Sequence, residues 1–276
     1  MAETRTSIAA LPHALSADDW WTSRLRGRVP SVFLDYDGVL TPIVDDPADA
    51  TLDAAVRAAV DELASVATVA VISGRDLDDV RAMVDLPGLA YAGSHGFDML
   101  LPDGSRERKG EEYLADLDAV ERALVDEVDA LAGVRIERKR YAIAVHTRLV
   151  DDDAARDRAW SSVERLADQH DRLRVTHGRR IWEFRPAIAW DKGRALLRLL
   201  DVLDVEADRY PPVYMGDDVT DEDAFDAIDD TGVGVVVAGA EDRPTAAHLR
   251  LDGPDETSAL LRRLTALATG DDTNGR

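Results

Sequence analysis

VFLDYDGVL, residues 32–40, closes an apolar run with two aspartates one residue apart, Asp35 and Asp37. Carboxylates are costly to bury unless they are hydrogen-bonded, paired or metal-bound. The residues ahead of them, from Ser31, have the β-branched and aromatic make-up of a strand. Either the chain turns here on an acidic loop, or the pair does chemistry. Residues i and i+2 of an extended chain point to one side, about 6.6 Å apart along it. Asp35 and Asp37 can therefore face one crevice together.

Outward from this stretch, short β-rich runs alternate with helical patterns. Residues 53–66 read as helix, 68–75 as strand, 76–84 as helix and 89–96 as strand. Later, 191–203 reads as helix, 211–218 as strand, 221–228 as a short helix and 233–239 as a last strand. Near-continuous apolar strands separated by amphipathic helices predict an α/β fold, a Rossmann-like doubly wound parallel sheet. The middle differs. Residues 97–108 read as a hairpin turning at Asp103-Gly104. Then come a helix (110–133), a strand pair (134–147), a helix opening on an acidic run (151–170) and a hairpin turning at Gly178 (173–184). This is an α+β (αββαββ) insertion over 107–184, which leaves the core discontinuous as 1–106 and 185–276. Trp20-Trp21 reads as an N-terminal helix packing on the core, and 270–276 as a frayed end.

Polar groups collect where the core strands end. Asp35 and Asp37 end the first, Ser73 the second, Asp217 and Asp218 the fourth. Ligands of open α/β sheets bind outside these carboxyl ends. Carboxylates gathered there repel one another, and an oxygen-loving divalent cation, most naturally Mg²⁺, relieves this. A carboxylate can also act as a nucleophile toward phosphorus, with the metal neutralising the phosphoryl group. Lys192, at a helix start, supplies a point charge for phosphate. Ser73 and the backbone N–H groups of Gly38 and Gly74 supply donors.

Composition narrows the field. The net charge is -22, from 55 acidic and 33 basic residues, and the only lysines are Lys109, Lys139 and Lys192. Such a surface repels nucleic acid and anionic membranes, which need basic patches. Abundant Asp with scarce Lys points to a halophilic, high-salt cytoplasm. The absence of cysteine excludes disulfides and thiolate sites. No apolar stretch approaches the roughly 18 residues of a membrane span. The first 21 residues lack the basic-then-apolar pattern of a signal peptide, so a cytoplasmic location is expected.

Taken in order, DYDGVL, VISGR, DKG and GDDVTDED resemble the four motifs of the haloacid dehalogenase superfamily of phosphatases. LDYDGVLTPI, GSHGFD, ERKRYAIAVHTR, WEFRP and GDDVTDEDAF are together similar to trehalose-6-phosphate phosphatases, over roughly residues 28 to 265. In that family the insertion is a cap that reads the sugar over the active site. The resemblance makes Asp35 the nucleophile and a metal ligand. Asp37 becomes the acid for the leaving sugar oxygen and then the base for water, its backbone carbonyl or a nearby one touching the metal. Asp217 is the third carboxylate ligand, with Asp221 or Asp218 completing the shell. Ser73 and Lys192 hold phosphate. Glu137, Lys139 and Glu183 fall where sugar-contacting residues fall, and His95, His146 and Arg148 lie in matching stretches. Val39 departs from the Thr usual in the first motif, and GSHG and HTR from commoner wording.

Plainer readings stand beside these. Ser73 suits a turn or helix cap, the 217–223 acids a capping loop, and Glu137 with Lys139 a surface cross-strand ion pair. His95 and His146 suit interior hydrogen bonds. Rival functions are a phosphatase of sucrose, glucosylglycerate or mannosylglycerate phosphate, a phosphosugar mutase, a phospho-accepting receiver module and a non-catalytic sugar-phosphate sensor. A monomer of this size is expected to suffice.

Overall fold

The apolar run ahead of the two aspartates is a strand, buried at every residue, in the interior of an eight-stranded sheet. The structure, a computed structural model, describes residues 5–44, 46, 49–178, 180–239 and 242–270. The end expected to fray lies, beyond Gly270, outside the described residues. In chain order, β1 (Thr6–Ser7) and α1 (Asp18–Leu25) lead to β2 (Ser31–Leu34), α2 (Ala54–Ala64), β3 (Val69–Ile72), α3 (Leu77–Val84), β4 (Ala90–Gly93), β5 (Asp98–Leu100) and β6 (Arg106–Arg108). There follow α4 (Leu114–Val128), β7 (Arg135–Lys139), β8 (Ala142–His146), α5 (Asp153–Gln169), β9 (Leu173–Gly178) and β10 (Ile181–Pro186). Last come α6 (Lys192–Val202), β11 (Pro212–Gly216), α7 (Glu222–Ala227), β12 (Val233–Val237), β13 (Pro244–Thr245), β14 (Leu249–Leu251) and α8 (Thr257–Thr269).

The chain divides into two units, Met1–Glu107 with Trp190–Arg276, and Arg108–Ala189. In the first, the strand order is β14-β12-β11-β2-β3-β4-β5-β6. The pairs from β14 to β4 are parallel, and β5 returns antiparallel to β4. Alternation along β2 explains the layering. Val32 and Leu34 join a core with Val56, Val60 and Leu63 of α2, Val80 of α3 and Leu260 and Leu264 of α8. Phe33 points the other way, to Leu196 and Leu199 of α6 and Phe225 of α7. Helices thus cover both faces, which is why these strands read as unbroken apolar runs. From β2 the order runs to β3 and β4 on one side and to β11 and β12 on the other. The crevice at this reversal is where doubly wound sheets place ligands.

The second unit is a four-stranded sheet, β7-β8-β10-β9, every neighbouring pair antiparallel. Ile143, Val145 and Phe184 face Leu117, Val120 and Leu124 of α4 and Ala159, Val163 and Leu166 of α5. The opposite face carries the alternate residues and is polar. Among the described residues, no helix is long and apolar enough to cross a membrane.

Candidate active site

Asp35 follows β2 and Asp217 follows β11, and these strands pair with Leu34 opposite Met215. Both acids therefore emerge at one carboxyl edge, and the Asp35 N–H donates to the Met215 carbonyl at 2.9 Å. α6 opens next to them. Its cap is Asp191, whose carboxylate accepts from the Arg194 N–H at 2.8 Å. This sets Lys192 at the first helical position, its side chain 3% exposed. The Lys192 ammonium donates to Asp35 Oδ2 and, at 2.7 Å, to Asp221 Oδ1.

Asp221 sits on the turn ahead of α7, fully buried, with four donors. Oδ1 accepts from Lys192 and from the Tyr214 hydroxyl at 2.6 Å. Oδ2 accepts from the N–H groups of Asp217 at 2.9 Å and Asp218 at 3.0 Å. Burial opposes its charge, yet the Lys192 ammonium and these hydrogen bonds hold its carboxyl below the usual value. Burial also opposes the charge on Lys192, but Asp221 and Asp35 outweigh it and push the ammonium well above an ordinary lysine. Asp35 fares differently. Burial, opposed by Lys192 and reinforced by Asp221, pushes it up to about 7. Asp217 is pushed up to about 8 by burial and then by Asp221, Asp35 and Asp218.

Asp35, Asp217 and Asp221 each offer a carboxylate oxygen within 4.8 Å of the other two. A compact set of hard oxygens fits Mg²⁺ rather than a soft metal. Three carboxylates gathered around the single ammonium of Lys192 leave negative charge for a cation to offset, so the residues fit one. Of the two candidates for the last ligand, Asp221 lies in this cluster. Asp218 is exposed, and its Oδ1 accepts from the N–H and hydroxyl of Thr220, both at 2.7 Å, as the cap of the turn.

Asp37 is held by Arg75. Its carboxylate takes a two-pronged contact from Arg75, Nε to Oδ2 at 2.8 Å and Nη2 to Oδ1 at 2.7 Å. The Arg75 N–H donates to Ser73 Oγ at 3.1 Å, so one residue ties the acid to the hydroxyl. Gly74, between them, lies so near the His95 ring that a Cβ would approach it to 2.9 Å. Arg75 and Tyr214 escaped sequence reasoning. Arg75 lies inside the VISGR stretch, whereas a strand tyrosine gives no sign of whom its hydroxyl meets.

Gly38 corrects an expectation. Its N–H donates to the Thr41 carbonyl at 2.9 Å and is not available to phosphate. The residue is glycine for two other reasons. Its φ is +76°, and a Cβ would overlap the Asp217 carboxylate.

The second unit gathers Glu137, Lys139, Glu183 and His146 on the polar face of its sheet. Lys139 Nζ reaches Glu183 Oε1 at 3.3 Å, and Arg185 also binds Glu183. His146 Nε2 meets Glu137 Oε2 at 2.8 Å, and this hydrogen bond above all holds Glu137 down to about 2. Glu137 thus pairs with His146 and Arg135, and Lys139 with Glu183, rather than with each other. Arg148 is exposed beyond β8. His95 lies in the first unit, on the turn Ser94–Gly96 with φ of 56°.

A family model for trehalose-phosphatases matches residues 33–255. A trehalose-phosphate phosphatase of Mycobacterium marinum is 45% identical over 245 residues, 86% of this chain and 62% of that protein. An uncharacterized glycosyl hydrolase of Mycobacterium tuberculosis is 46% identical over 266 residues, 94% of this chain and 20% of that one. The chain therefore spans less than two thirds of the length of these relatives. Among solved structures, the C-terminal domain of C. albicans trehalose-6-phosphate phosphatase superposes with a TM-score of 0.75 at 24% identity, covering 93% of this chain and 99% of that one. Aspergillus fumigatus trehalose-6-phosphate phosphatase does so with 0.67 at 26% identity, covering 93% and 99%.

Proposed function

The chain belongs to the trehalose-phosphatase family, and from that membership we propose that it hydrolyses trehalose-6-phosphate to trehalose and phosphate with Mg²⁺. The carrying observation is the buried Asp35–Lys192–Asp221 cluster, with Asp217 beside it, at the carboxyl edge of β2 and β11. Asp35 Oδ attacks phosphorus, forming an aspartyl-phosphate as the bond from phosphorus to the sugar oxygen breaks. Asp37 gives that oxygen its proton. Asp37 then takes a proton from water, whose oxygen attacks phosphorus, and the Asp35–phosphorus bond breaks to release phosphate. Lys192 and Ser73 hold the phosphoryl oxygens. Asp35, Asp217 and Asp221 would hold Mg²⁺. When bound, the cation offsets the charge gathering on the phosphoryl group.

Residues 108–189 take the sugar-reading part, through Glu137, Lys139 and Glu183. The acidic, lysine-poor surface suits a salt-rich cytoplasm. The test is phosphate release by the wild type and Asp35→Asn. Turnover of trehalose-6-phosphate by the first and not the second is expected. Equal turnover by both refutes the nucleophile.

A further inference from the structure

Glu222 opens α7, directly after Asp221, and its side chain is 6% exposed. A carboxylate suits a helix N-terminus, but a buried one needs donors. They come from the segment beyond β12. Arg243, just ahead of β13 and 15% exposed, forms an ion pair with Glu222 Oε1, and the Ala246 N–H donates to Oε2 at 2.7 Å. Arg243 turns its other terminal nitrogen on a different element. Nη2 donates to the Asp217 carbonyl at 3.3 Å. The backbone of Arg243 is itself held. Its carbonyl accepts the Ile8 N–H at 3.1 Å, and Ser7 pairs with Pro244 in the two-stranded β1–β13 sheet.

The Asp217 carbonyl and the Asp218 N–H belong to one planar peptide. Arg243 grips the oxygen of that peptide at 3.3 Å, and Asp221 Oδ2 grips its N–H at 3.0 Å. A plane held at both edges cannot rotate, so the backbone on the carbonyl side of Asp217 is set. On the other side, the Asp217 N–H donates to the same Asp221 oxygen at 2.9 Å. The Asp217 carboxylate then lies against the bare Cα of Gly38. Three of these four restraints come from the neighbourhood of the carboxylate cluster. The fourth, Arg243, reaches in from outside it and is tied down by Glu222.

We propose that Arg243, anchored by Glu222, is a positioning residue for Asp217, acting through the backbone to hold this carboxylate where a divalent cation needs it. This rests on the Mg²⁺ reading above. Charge alone gives the opposite sign. A cation near the site repels Mg²⁺, so losing it would tighten binding. A positioning contact weakens binding when it is lost, because the oxygens are no longer kept at the spacing the ion requires.

The experiment is calorimetric titration of the full chain with Mg²⁺, in molar KCl to screen the acidic surface, for the wild type, Arg243→Lys and Glu222→Gln. Lysine keeps the charge but lacks the planar fork that spans carboxylate and carbonyl. Glutamine keeps an acceptor for the Ala246 N–H and loosens the hold on Arg243. The dissociation constant for Mg²⁺ is expected to rise by about tenfold in Arg243→Lys, the scale of a lost contact behind a metal ligand, and to rise also in Glu222→Gln. KM for trehalose-6-phosphate at saturating Mg²⁺ stays at the wild-type value. An unchanged or lower dissociation constant in Arg243→Lys overturns the proposal, even where the melting temperature falls, since that is the mark of a contact that only supports the fold. A KM that rises at saturating Mg²⁺ overturns it too. Should Arg243→Lys not fold, Glu222→Gln decides by the same outcomes. A wild type that takes up no Mg²⁺ overturns the metal reading and this proposal together. Wild-type uptake with unmoved variants overturns this proposal alone.

Discussion

Replacing Lys192 with methionine removes the one cation shared by two buried carboxylates. The methionine stem fills most of the same space, so the change is electrostatic. Asp221 keeps three donors, the Tyr214 hydroxyl and the N–H groups of Asp217 and Asp218. Asp35 keeps one, the Tyr36 N–H at 2.6 Å on its other oxygen. The loss thus falls on Asp35 and on its repulsion with Asp221. Removing one partner of a buried pair costs about 3–5 kcal/mol. At about 2–4 °C per kcal/mol for a domain of this size, the melting temperature falls by roughly 6–20 °C. The same ammonium holds the phosphoryl group in the proposed mechanism, and deleting such a contact lowers kcat on the order of 10²–10³-fold. Calorimetry and phosphate release, on the same preparation, read the two effects. A melting temperature within about 2 °C of wild type together with near wild-type kcat would falsify the view that Lys192 neutralises this cluster.

Asp35→Asn keeps the shape and removes the nucleophile, so turnover drops by on the order of 10⁴-fold or more, with melting little changed. Residual activity near the wild-type level is the contrary result. Gly38→Ala forces a side chain into a left-handed conformation, about 1–2 kcal/mol, and pushes the Asp217 carboxylate aside. Mg²⁺ titration should then show weaker activation than in the wild type, and an unaltered titration curve contradicts the Gly38–Asp217 fit. His248 packs against Trp20 in a tilted contact, accepts the Gly234 N–H at 3.0 Å, and is held below the ordinary histidine value by burial and then by Arg24. The unfolded chain therefore takes up this proton first, and the wild type loses stability as the pH falls below about 6.5. Urea unfolding of His248→Gln should lose less stability than the wild type between neutral pH and pH 5. Parallel losses in the two proteins contradict the assignment.

The first unit's core was largely legible because each β2-type strand is buried on both faces and each helix shows one apolar stripe. Asp35, Lys192 and Asp217 were legible for a related reason. An acid at the end of an apolar strand, or a rare lysine at a helix start, has few structural excuses. α8 and β14 escaped notice. β14 has three residues, too few for periodicity to register, and α8 carries buried Thr257 and Thr265 within its stripe. Contacts that depend on side-chain direction were hidden too. Gly38 sits in the expected motif, yet its N–H turns back on Thr41 and its bare Cα makes way for Asp217. Sequence spacing offers Glu137, two residues away, as the partner of Lys139. The small residues at 142 and 144 let it cross to Glu183 instead.

The most direct test is phosphate release from trehalose-6-phosphate against a panel of other sugar phosphates, with Mg²⁺ and with EDTA, at low and at molar KCl. Strong preference for trehalose-6-phosphate, lost in EDTA, is the predicted result. Equal hydrolysis across the panel, or full activity in EDTA, contradicts the account.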